Sequence, residues 1–161
     1  GCFLVSGQFV VNYALPDATF DSSASTVTSI GVDLNTIGDY SDHKADLKRV
    51  DDLALVGEFH NNDSNAAVTV EVWIGPSGQR NIAWTGIRPG DVRLWGPLTI
   101  LAGSTVTVDW NRSAGLFVGR QTLIDEIKGD GQFVLYMKST GASFNVTLTK
   151  AALIAVIGAA K

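Results

Sequence analysis

Apolar residues near the start of the chain recur at every second position. Phe9, Val11, Tyr13 and Leu15 alternate with Gln8, Val10, Asn12 and Ala14, the period of a half-buried strand, and Pro16-Asp17 ends it. The same alternation returns along the chain. TVTSIGVDL (26–34) sets Thr28, Ile30, Val32 and Leu34 on one face, and LALVGEFHN (53–61) turns Leu53, Leu55 and Phe59 inward. VTVEVWIG (68–75) alternates Val68, Val70 and Val72 with Thr69, Glu71 and Trp73. STVTVDW (104–110) sets Val106, Val108 and Trp110 inward, and QFVLYMK, SFNVTLT and AALIAVIG close the chain as strands. Leu153, Ile154, Val156 and Ile157 are apolar on both parities, so the last strand is expected at the centre of a sheet with both faces covered.

Two stretches break the two-residue period. A short helix is expected over 42–49, with Ser41 as its cap, and another over TLIDEIKG (122–129), capped by Thr122 and stopped by Gly129. Gly/Pro turns at 75–78, 89–90, 96–97 and 103–104 separate the strands. No strand–helix alternation, repeat or linker divides the chain. The pattern predicts an all-β fold: a single antiparallel β-sandwich over 1–161, jelly-roll or Ig-like, with about eight strands and two short helices.

Composition narrows the function. Of 161 residues, 45% are hydrophobic and only 17% charged, against roughly a quarter in ordinary domains. So sparse a charge implies a surface that is either small or partly covered by something else, for example identical subunits. The net charge is −4, and Lys44, Lys48 and Arg49 are interleaved with Asp42, Asp46, Asp51 and Asp52. Without a basic footprint, nucleic acid is not expected as a partner.

Little points to chemistry. His43 and His60 are the only imidazoles, there is no G-x-S-x-G elbow or phosphate loop, and carboxylate pairs such as Asp51-Asp52 read as solvated faces. Asn61, Asp63 and Asn65 alternate like the first ligands of a calcium loop, but Ala66 and Val72 stand where Gly and Glu are required, so a surface turn is expected. No enzyme activity, cofactor or metal site is expected.

The opening residues bear on compartment. Gly1-Cys2 resembles the end of a bacterial lipobox, in which a small residue precedes the cysteine that becomes lipidated. The match covers two residues, and cleavage before Cys2 would remove the Gly1 that the chain keeps. The resemblance implies an exported protein of the outer membrane, cell surface or exterior. It would touch membrane only through a lipid on Cys2, with residues 1–8 as anchor or exchanged terminal segment.

The two ends of the chain are its most apolar strands, which makes Phe9, Val11, Tyr13, Leu153 and Val156 candidates for pairing between subunits. Trp73 and Trp95 share parity with polar neighbours, so both are expected to face outward, toward a protein interface or a glycan. The leading expectation is a structural or adhesive envelope protein that forms a homo-oligomer or polymer, a fibre or a layer. The alternative is a glycan- or ligand-binding module.

Overall fold

The computed structural model describes residues 6–78, 82–141 and 143–160. In chain order the strands are β1 (Ser6–Ala14), β2 (Ala18–Asp21), β3 (Thr26–Val27) and β4 (Ser29–Asp33); after α1 (Gly38–His43) come β5 (Leu47–Asn61), β6 (Val68–Pro76), β7 (Ile82–Ala83), β8 (Val92–Ile100) and β9 (Thr105–Val108). Then follow α2 (Trp110–Ala114), α3 (Arg120–Lys128), β10 (Gln132–Ser139) and β11 (Asn145–Ala160). Short 3-10 turns lie at Leu34–Thr36, Lys44–Asp46 and Trp84–Gly86.

The all-β expectation holds. One antiparallel sheet runs β1-β11-β5-β9, with β2 also on β11; a second runs β4-β10-β6-β8; β3 and β7 form a two-stranded ribbon. Among the described residues the eleven strands exceed the eight or so expected because β2, β3 and β7 are pieces of two to four residues, too short for a period to register. The core is what alternation puts between the sheets: Val11, Leu55, Phe59, Leu153 and Ile157 from one, and Ile30, Val32, Val70, Leu98 and Leu135 from the other.

The longest pairing is β11 on β5, and it bends at a bulge. Thr149 pairs with Glu58 and Ala152 with Val56, so β11 holds one residue more than its partner there, and Lys150 takes a left-handed φ of 50°. Gly57 lies opposite with φ 154°, where a Cβ would come 2.9 Å from that of Ala151. Only glycine fits there.

The helices begin earlier than expected. α1 starts at Gly38 and ends at His43, so Ser41 sits inside it, its hydroxyl donating to the Gly38 carbonyl (3.0 Å). The expected strand at 53 already begins at Leu47, because β11 is long enough to pair that far. α3 begins at Arg120 with Gly119 rather than Thr122 before it; Gly129 ends it as expected, its N–H returning to Asp125 and Glu126. No helix among the described residues is long and apolar enough to cross a membrane.

Candidate functional site

Two regions gather the residues singled out in the sequence: the flank formed by β1 and β11, and the outer face of the second sheet. On the first, β1 pairs with β11 of the same chain through nine residues without a bulge, from Ser6↔Ala160 to Ala14↔Ala152. Phe9, Val11 and Tyr13 face inward; Val11 is buried, and Tyr13 Oη donates to the Gly31 carbonyl at 3.5 Å. Leu153 is a core residue and Val156 lies half-buried on the outer face. β11 is central, as its composition implied, with β1 and β2 along one edge and β5 along the other. Both edges at Leu153 and Val156 are thereby occupied within the chain, so neither residue lies on a strand open to a second subunit. Nor is the outer face of this strand fully covered, since Ile154 and Val156 are half-buried beside Val10, which is 55% exposed.

The free edge is that of β1. Among the described residues no strand pairs with its outer side. SGQFVVNYA contains no charge and no proline. Its start is fastened by Gln8 Nε2, which donates to Asp51 Oδ2 (2.6 Å), and Arg49 Nε donates to the other oxygen of that carboxylate (2.6 Å). These two contacts, the glutamine first, hold Asp51 below the ordinary carboxylate range.

The tryptophans separate. Trp73 is half-buried on the outer face of β6; its Nε1 donates to Glu71 Oε2 (3.1 Å), and Arg93 Nη1 donates to Glu71 Oε1 (2.7 Å). The Lys138 ammonium stands 3.9 Å from the centre of the Trp73 ring. Trp95, expected outside, is completely buried and stacks on Phe59 at 5.3 Å and 12°. The reason is a bulge: Val72 pairs with Trp95 while Trp73 pairs with Arg93, so Leu94 is an extra residue that resets the alternation. Trp110, expected in the core, is half-buried instead. The strand before it ends at Val108, and Asp109 Oδ1 accepts from Arg112 N (2.9 Å), capping α2.

Buried polar groups serve the fold. Ser113 of α2 is fully buried, and its Oγ accepts from Leu55 N (2.7 Å) and from Trp95 Nε1 (3.2 Å). β9 pairs β5 only from Gly57 to His60, so this hydroxyl takes over the ladder where β9 stops. The Tyr136 hydroxyl donates to Asp91 Oδ2 (2.9 Å); burial, then that carboxylate, raises its pKa. Burial, with Asp130 and Asp33 nearby, pushes Tyr40 up to about 12.

The two histidines have separate surroundings. His43 Nδ1 contacts the Asp39 carbonyl (2.9 Å) and its ring lies 5.0 Å from Phe9, whereas His60 Nδ1 contacts Thr105 Oγ1 (2.9 Å). Neither contact is to a carboxylate. Asn61 Oδ1 accepts from Asp63 N (3.0 Å) and Asp63 Oδ1 from Asn65 N (2.8 Å), so both oxygens shape the turn itself. Among the described residues no group of three His, Cys, Asp or Glu could hold a metal ion. Cys2, the expected lipid attachment point, lies outside the described residues. No protein-family model matches the chain, and no curated protein matches it either.

Proposed function

We propose that the chain is a non-enzymatic structural or adhesive β-sandwich of the cell exterior that associates with a second copy of itself through the outer edge of β1. The observation that carries this reading is the character of that edge. It is nine residues long, uncharged, proline-free and without a bulge. Natural sandwiches blunt such edges with charge, proline, bulges or shortness. The other edges here are blunted: β8 holds Arg93, Pro97 and two register shifts, β4 has five residues ending in Asp33, and β9 has four.

Edge-to-edge contact of one strand with itself is antiparallel and two-fold symmetric, and therefore closes as a dimer. A two-fold at Val10 sets Val10 against its copy, Gln8 against Asn12, Gly7 against Tyr13 and Ser6 against Ala14. Amides then face amides, and the bulkiest residue of the strand faces glycine. A fibre or layer would require a second, different contact. Attachment at Cys2 would present the same edge outside the cell.

Sedimentation across a concentration series tests the assignment. The wild-type chain should dimerise. Val10→Lys puts two ammonium groups together on the axis and should leave it monomeric with an unchanged fold by circular dichroism. A wild-type chain monomeric at millimolar concentration, or a Val10→Lys dimer of wild-type strength, would overturn it.

A further inference from the structure

A groove that does not involve the edge of β1 lies where the end of β10 meets the turns after β2 and β7 and the start of β11. It is an open depression of about 310 Å3, lined by Ser22, Trp84, Lys138, Ser139, Gly141 and Phe144. That volume lies at the lower end of the range for small-ligand sites, roughly 300–1,000 Å3, and suits a unit of monosaccharide size. Trp84 follows β7 in the 3-10 turn and is held at two points. Its Nε1 donates to the Ala24 carbonyl (3.1 Å), and its ring meets Phe144 edge-on at 6.3 Å and 84°. It nevertheless stays half-exposed. An indole fixed in this way loses little freedom when a ligand stacks on it.

The charge beside it is also fixed. Lys138 is held over Trp73, and among the described residues no carboxylate oxygen lies within 4.0 Å of its Nζ. The acid across from it, Glu71, is taken up by Arg93 and by the Trp73 indole. In a chain of net charge −4, a lysine that lines an aromatic-walled groove and has no ion pair among the described residues is complementary to an anionic ligand.

We infer that this groove binds an acidic sugar residue of a glycan, with the C–H face of the pyranose on Trp84 and its carboxylate at Lys138. A flat apolar wall and one cation match a uronic acid, which has an apolar face and a single carboxylate on one ring. Trp73 acts through Lys138, whose position it sets, and is a positioning residue. The site is independent of the β1 edge.

Calorimetric titration with a galacturonic-acid tetramer, a neutral galactose tetramer and a glutamate tetrapeptide tests it. The uronic oligomer should bind at least tenfold more tightly than either of the others. Trp84→Ala should weaken it by about 30-fold, the scale of an aromatic hot spot. Lys138→Gln removes the charge without setting a second carboxylate opposite Glu71, and should keep the native fold by circular dichroism while abolishing the preference for acid over neutral sugar, which keeps the test valid if Trp84→Ala loosens the fold. No binding of the uronic oligomer at millimolar concentration, equal binding of the neutral oligomer or the peptide, or wild-type affinity in Lys138→Gln would overturn the assignment.

Discussion

Replacing Ser113 by alanine removes one oxygen from a place where two buried donors depend on it. Leu55 N and Trp95 Nε1 both give their hydrogen bonds to Ser113 Oγ, and Ser113 and Trp95 are fully buried. Each stranded donor costs about 1–3 kcal/mol. The gain from alanine's helix propensity, about 0.5 kcal/mol, offsets part of this. Ser113→Ala should therefore destabilise the fold by about 1.5–5.5 kcal/mol, a large share of the roughly 5–15 kcal/mol that holds such a domain together. Urea unfolding of Ser113→Ala, Trp95→Phe and the double variant reads this directly. Trp95→Phe alone is costly, because it leaves a void and alters the stack on Phe59. The informative quantity is the coupling. With the indole N–H already gone, Ser113→Ala strands one donor and should cost about half as much. A cost below about 0.5 kcal/mol for Ser113→Ala, or the same cost in both backgrounds, would refute the idea that this hydroxyl continues the β5 ladder and anchors the indole.

Other perturbations reach other parts of the molecule. Gly131 has φ 75°, and a Cβ there would lie 2.5 Å from the Tyr40 hydroxyl oxygen, which bonds the Ile127 carbonyl at 2.7 Å. Gly131→Ala should cost about 2–3 kcal/mol, whereas Gly78→Ala, with φ 97° and open space around it, should cost only about 1 kcal/mol of backbone strain; equal losses in urea unfolding would contradict this account. Asp51 is held low by Gln8 and Arg49, so its contribution to stability is complete above the ordinary carboxylate pKa and is lost as pH falls through the depressed value. In Gln8→Ala a carboxyl-carbon NMR titration should find the Asp51 midpoint moved upward, and an unmoved midpoint would remove Gln8 as the cause. Tyr40 and Tyr136, two of three tyrosines, have raised pKa values, so at about pH 11 the native protein should show no more than one phenolate by absorbance. The unfolded chain ionises first, so stability should fall as pH rises past the ordinary tyrosine value, and a flat profile there would refute the assignment.

The fold class was legible because sandwich burial is written in the two-residue period. Val11, Ile30, Val32, Leu55, Phe59, Val68 and Val70 are all buried where alternation put them inward. The central place of the last strand was legible as well, since AALIAVIG has no polar face to give to water. Alternation misled where one residue was added to a ladder. Leu94 is one residue among nine in β8, and it carries Trp95 from the outer face into the core. Nothing in VRLWGPLTI marks that residue, because a bulge is a property of two paired strands and only one of them is in view. Trp84 was missed for a related reason: its groove is assembled from Ser22, Trp84 itself and the stretch from Lys138 to Phe144, which are three distant parts of the chain.

The sequence alone therefore determined the β-sandwich class, most of the inward-facing residues and the scarcity of catalytic groups, because these depend on residue type and local period. Only the tertiary structure decided that β11 lies between β1 and β5, leaving the outer edge of β1 without a paired strand among the described residues, and that Trp84 and Lys138 share one groove. Strand order and the meeting of remote side chains follow from which long-range pairings bury the most apolar surface while satisfying each backbone group. That competition is settled by the whole chain at once and leaves no mark on any single segment.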